Sequence, residues 1–241
     1  MVSRVLIVGS AGTHSAEGRA NVSRLINAVR REAHGLDVAD GYVDQQSPAL
    51  AEVVRTTAGP RAIVPLLLTR DPLPLRAMVA AARLDPSVSV TAPIGPDWVL
   101  AEIGVQRLME AGARPEDTIV LAADAVTDEA ALEDVSKAAR LLSAVWGGRV
   151  HVGTLGGLDA DLGDAIDVAR AYGKRVVVSS YVLTSGSAHD QMQLSGADVV
   201  TSPLVPPGAP DQRLVGLVLA RARSRSGWIT ADDGEHRAAH G

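Results

Sequence analysis

The sequence predicts an α/β protein of two tandem doubly wound lobes, each built on a parallel four-stranded sheet, facing each other across a cleft. Three observations predict it. A unit is written twice: residues 4–10 (RVLIVGS) recur as 118–124 (TIVLAAD), and residues 61–68 (RAIVPLLL) recur as 175–182 (RVVVSSYV), both at an offset of 114 residues. The short apolar runs are rich in Val and Ile and apolar throughout rather than alternating, the pattern of strands buried on both faces of a parallel sheet. Stretches of helical periodicity lie between them.

A period this long means duplicated lobes rather than a solenoid, each large enough to bury its own core. In the first lobe the strands fall at 5–8, 36–43, 62–68 and 88–91, and in the second at 119–122, 150–155, 175–182 and 198–201. Residues 20–31 form a helix with Val22, Leu25, Ile26 and Val29 on one face. A second helix covers 48–56, with Ser47 as N-cap and Pro48 at the first helical position. The counterparts are 128–146 and 162–172, and 98–111 closes the first lobe with Gly112 as its stop. The domains are therefore 1–113 and 114–224, joined by a short junction that keeps the lobes packed, and 225–241 reads as a disordered tail.

Composition removes several classes. With no cysteine there is no disulfide, thiolate metal site or cysteine nucleophile, so metal ligands must be His, Asp or Glu. There is no phenylalanine, and three Trp and three Tyr give few stacking platforms for nucleic acid, while a net charge of −5 attracts no polyanion. No signal peptide or membrane-length apolar run is visible, so the expectation is a cytoplasmic protein with no membrane partner. The first loop, Gly9-Ser10-Ala11-Gly12-Thr13-His14-Ser15, has neither dinucleotide-fingerprint spacing nor a Gly-Lys-Ser/Thr Walker element, so no organic cofactor is expected.

In open parallel sheets, ligands meet the carboxyl ends of the strands. Asp124 directly follows the first strand of the second lobe, where a carboxylate needs water, a metal or a donor; the alternative is a solvated cap. His189 lies in the loop after that lobe's third strand, and imidazole is suited to ligate a metal or accept a proton. The matching loop of the first lobe offers Arg70 and Arg76, either as carboxylate clamps or as surface ion pairs, and Arg19 stands near.

At these residues the chain resembles the sirohydrochlorin chelatases, class II enzymes that insert cobalt or iron into a tetrapyrrole. The resemblance runs from residue 4 to about 222. It rests on the duplicated lobes, the loop entered at Val8-Gly9, the stretch Ala92-Pro93-Ile94-Gly95-Pro96-Asp97, and Ser185-Gly186-Ser187-Ala188-His189-Asp190. It implies a divalent metal, Fe²⁺ or Co²⁺, and a tetrapyrrole as substrates of a chelatase in sirohaem or cobalamin synthesis, with a monomer able to hold the whole cleft. Imidazole would strip the ion of water and accept the departing pyrrole protons. Family members place one histidine after strand one and another after strand three. Here Ser10 and Asp124 stand at the strand-one positions, the strand-three histidine of the first lobe is missing, and His189 alone remains. The implied metal ligands are His189 and Asp124, helped by His14, with the first two also catalytic; Ser10, Arg70 and Arg76 would contact the substrate. The alternative is a relative that binds a tetrapyrrole without turnover, and a weaker third reading is a phosphate or sugar-acid binding module.

Overall fold

The computed structural model describes residues 4–44, 46–173 and 175–224; the expected tail at 225–241 lies outside them. Eight strands and eight helices follow one another in the described chain. The first sheet holds β1 (Arg4–Ser10), β2 (Leu36–Tyr42), β3 (Arg61–Pro65) and β4 (Val88–Val90) in the order β2-β1-β3-β4. The second holds β5 (Thr118–Ala123), β6 (Val150–Thr154), β7 (Val176–Tyr181) and β8 (Val199–Val200) in the order β6-β5-β7-β8. Every pairing is parallel. The winding reverses between β1 and β3 and again between β5 and β7, so each sheet has one switch point.

The repeat does not keep a single offset. Val5 N–H donates to the Pro60 carbonyl and Thr118 N–H to that of Arg175, while Val43 N–H donates to Ser10 O and Leu155 N–H to Ala123 O. By hydrogen-bond pattern β1 and β5 are thus 113 residues apart, and the residues leading into β3 and β7 are 115 apart. Ser10 is therefore the counterpart of Ala123, not of Asp124. Apolar runs register equally well one residue either way, and only the ladder decides.

The helices are α1 (Ala16–Glu32), α2 (Leu50–Thr56), α3 (Pro72–Ala82), α4 (Trp98–Glu110), α5 (Glu129–Trp146), α6 (Leu162–Arg170), α7 (Ser187–Gln193) and α8 (Gln212–Arg223). Several differ from expectation. Helix α1 starts four residues early because the Ser15 hydroxyl accepts from Gly18 N–H at 3.1 Å. Helix α2 starts late: the Pro48 carbonyl accepts from Tyr42 N–H and Ala49 is extended, so Ser47 is no cap and Pro48 is not helical. Helix α3 starts inside the supposed loop at 69–76 and runs on to Ala82, α7 takes up most of the supposed loop at 184–192, and α8 went unassigned. Helix α3 tolerates its prolines because they fall in the first turn, where Asp71 caps it. Gly147, at φ 80°, closes α5 in the left-handed region.

The two lobes do not bury separate cores. Ile7 and Ile63 point to an outer core with α2 and α3, and Val120 and Val178 to another with α6 and α7. The opposite faces, including Leu6, Val8 and Val64 from the first sheet and Ile119, Leu121 and Val177 from the second, share one central core with α1, α4, α5 and α8. In that core the last helix of each half crosses over. Helix α4 packs on α5 and β7, and α8 packs on α1 and β3. Gly104 permits this approach: a Cβ there would lie 3.1 Å from Leu142 Cδ1. The crossing helices are tied by Arg221, which donates to Pro93 O and pairs with Asp97 at 2.9 Å. Residues 113/114 separate the two sheets, but not the two bodies of packing.

Candidate functional site

A cavity of about 590 Å³ opens at the carboxyl ends of β1, β3, β5 and β7, where both switch points face each other. Its walls come from the loops at 12–15, 66–73, 123–127 and 181–188. The size lies within the range of small-ligand sites.

The loops are held by bonds between the halves. Asp134 of α5, 5% exposed, accepts from Arg70 N–H at 2.7 Å and from the guanidinium Nε and Nη2 at 3.0 and 2.9 Å. Tyr181 Oη donates to the Leu68 carbonyl at 3.0 Å, and burial pushes its phenol strongly upward, so it remains a donor. On the cavity's rim Ser185 Oγ donates to Glu17 at 2.9 Å. A Cβ on Gly18 would sit 2.5 Å from the Ser185 carbonyl, which is why α1 approaches this loop through a glycine.

The structure brings some of the expected site residues together. His14 and Asp124 both line the cavity and both are exposed. The His14 ring has no hydrogen-bond partner among the described residues, and Asp124 accepts from Ala125 N–H at 2.8 Å. Asp124 is not a helix cap; that role belongs to Asp128, which accepts from Ala130 and Ala131 N–H. Asp71 also lines the cavity while capping α3.

Other expected residues lie elsewhere. His189 is on α7 rather than in a loop, half-buried, and its Nε2 donates to the Thr201 carbonyl at 3.0 Å. Its neighbours Ser187 and Ala188 line the cavity, whereas His189 is outside the lining. Ser10 is buried and its hydroxyl accepts from Gly12 N–H, shaping the turn after β1. Arg70 is engaged by Asp134 and by Glu133 at 3.1 Å, Arg19 donates to the His14 carbonyl at 2.8 Å, and Arg76 is exposed on α3. Among the described residues no Lys or Arg lines the cavity, and no three His, Asp or Glu side chains gather into a metal-binding group.

Sequence reasoning missed the polar lining. Thr13, Thr69, Thr127 and Ser185 are among the cavity's hydroxyls, and these four stand just past strand ends, a placement that marks ligand loops in such sheets. It also missed Asp134. The signal was present: Asp134 follows Ala131 by three residues and precedes Ala138 by four, placing an acid on the buried face of an amphipathic helix.

The CbiX family model matches residues 4–111. SirB from Bacillus subtilis with Fe³⁺ is 16% identical with a TM-score of 0.75, covering 98% of both chains. The first lobe thus matches the CbiX family model, and the whole chain has the two-lobed fold of the SirB chelatases. The SirB chelatase from Bacillus subtilis subspecies spizizenii in complex with cobalt is 17% identical, with a TM-score of 0.73 and 98% coverage of both chains. CbiX, the terminal enzyme of sirohaem synthesis in denitrifying bacteria, is 19% identical with a TM-score of 0.62, covering 92% of this chain and 99% of its own. No curated protein matches the chain by sequence. Among the described residues no helix is long and apolar enough to cross a membrane.

Proposed function

We propose that the inter-lobe cavity receives a tetrapyrrole and that His14 and Asp124 serve the insertion of Fe²⁺ or Co²⁺ into it. The observation that carries this reading is that an imidazole and a carboxylate from different halves line one cavity at opposed strand ends. Insertion replaces two pyrrole N–H bonds by metal–nitrogen bonds and releases two protons. The Asp124 carboxylate is an oxygen ligand that replaces part of the ion's hydration shell. The His14 ring, with no hydrogen-bond partner among the described residues, takes the two pyrrole protons one after the other and passes each to water through the open side of the cavity. His189 acts one step back. Its bond to Thr201 O anchors α7, and α7 presents Ser187 and Ala188 to the ligand.

A second reading is a tetrapyrrole carrier without turnover. It is favoured by the engaged Nε2 of His189 and by the lack of a three-ligand group among the described residues. An anaerobic absorbance titration with sirohydrochlorin, followed by Fe²⁺ or Co²⁺ against a protein-free control, separates the two. Conversion faster than the control, lost in His14→Ala/Asp124→Ala, supports insertion. Unchanged conversion in that variant sinks the assignment of residues, and binding without conversion establishes the carrier.

A further inference from the structure

A second cavity, of about 500 Å³, lies at the far end of the first sheet, under the amino ends of β1, β3 and β4. Val79 and Ala82 of α3 and Val88 of β4 give it an apolar wall, and no acid among the described residues lines it. Arg83, the C-cap of α3, and Arg223, the last residue of α8, stand on its border. Both are exposed, and neither guanidinium has an ion-pair partner among the described residues. Arg61 is the third cation. It is 4% exposed, and its terminal nitrogens are taken by the Val54 and Thr57 carbonyls, Asp85 and Ser87, leaving Nε without an acceptor.

Cations at helix carboxyl ends are favoured by the helix dipole alone. The dipole does not explain why two unpaired guanidiniums from different helices flank one apolar cavity of ligand size. Apolar walls favour a hydrocarbon body, and paired guanidiniums favour a carboxylate or phosphate head. We propose that this cavity binds a small amphiphile with a single anionic head, its hydrocarbon body under the sheet and its head between Arg83 and Arg223. The site is separate from the inter-lobe cavity, since the two lie at opposite ends of the same strands.

The test is calorimetric titration of the full chain with decanoate, decyl phosphate and decanol. Decanoate or decyl phosphate should bind at least about tenfold more tightly than decanol, the preferred head distinguishing the two sources of charge. Charge reversal at two exposed positions, Arg83→Glu with Arg223→Glu, should weaken the anion at least about tenfold while leaving decanol unchanged. A urea unfolding midpoint matching the parent's checks the fold of that variant; should it fail to fold, Arg83→Gln with Arg223→Gln carries the same comparison. Equal affinity for decanoate, decyl phosphate and decanol, or anion binding that ignores both variants, overturns the proposal. So does tighter anion binding after deletion of 225–241, because the occupant would then be the chain itself.

Discussion

Replacing Arg70 with alanine tests how much its half-buried pair with Asp134 adds to the packing between the halves. The Asp134 side chain is 7% exposed and receives the backbone N–H and the guanidinium fork of Arg70. Alanine leaves the carboxylate with the backbone donor alone. Stripping one partner from a buried pair costs about 3–5 kcal/mol, but the Arg70 side chain is 44% exposed and water refills its place, so about 2 kcal/mol is expected. The Glu133 pair adds little, because that side chain is 75% exposed. At about 2–4 °C per kcal/mol for a chain of this size, Arg70→Ala should melt about 4–8 °C lower. Asp134→Asn and the double variant complete a cycle read by urea unfolding, with an expected coupling of about 1.5 kcal/mol. Arg70→Lys should recover only part of the loss, since an ammonium cannot reproduce the fork. Additivity within about 0.4 kcal/mol would refute the claim that this pair acts as a unit.

Three further outcomes follow from the same geometry. Tyr181→Phe removes the donor to Leu68 O and should lower urea stability by about 1 kcal/mol; an unchanged midpoint would mean that the bond contributes nothing net. Gly18→Ala gains about 1 kcal/mol of helix propensity yet drives a Cβ to within 2.5 Å of a backbone oxygen, a clash that costs about 1–3 kcal/mol. Net destabilisation is expected, with weaker binding of the tetrapyrrole under the proposed function, and a stabilised variant would show that the Ser185 loop yields freely. Burial, and secondarily Arg149, hold the His151 imidazole below its ordinary range, so protonation favours the unfolded chain. Its contribution is full above about pH 6.5 and declines as the pH falls toward the lower folded value, so His151→Gln should lose less stability between pH 7 and 5 than the parent.

The strands were legible because both faces of each sheet are covered, which makes every strand a continuous apolar run. The caps at Asp97, Asp161 and Asp211 were equally available, and each accepts from the N–H two residues ahead. The prolines at 72 and 74 disguised α3 as a loop, and α7 is entered through Gly186, an N-cap with no side chain to announce it. The exchange of α4 and α8 left no mark. Each helix carries an apolar face that fits either sheet, and periodicity says which residues are buried but not against what. The position of His189 was hidden for a related reason. Successive helical residues point about 100° apart, so once α7 forms, its neighbour Ala188 lines the cavity while His189 reaches Thr201.

The crossed helices bear on how a ligand enters. Two lobes with separate cores open by a hinge at modest cost, because interfaces between domains are small and polar. Here the interface is the largest apolar cluster in the described chain, and α4 and α8 each lie on the sheet of the opposite half. Parting the lobes would expose that cluster and break the bonds from Arg70 to Asp134 and from Tyr181 to Leu68. The pieces that can yield are the rim loops at 12–15 and 184–188, and among the described residues the side-chain bond from Ser185 to Glu17, in the first turn of α1, ties this rim across the gap. The cleft is therefore preformed, and under the proposed function its ligand would be selected by the fixed placement of His14, Asp124 and the surrounding hydroxyls rather than by closure of the lobes around it.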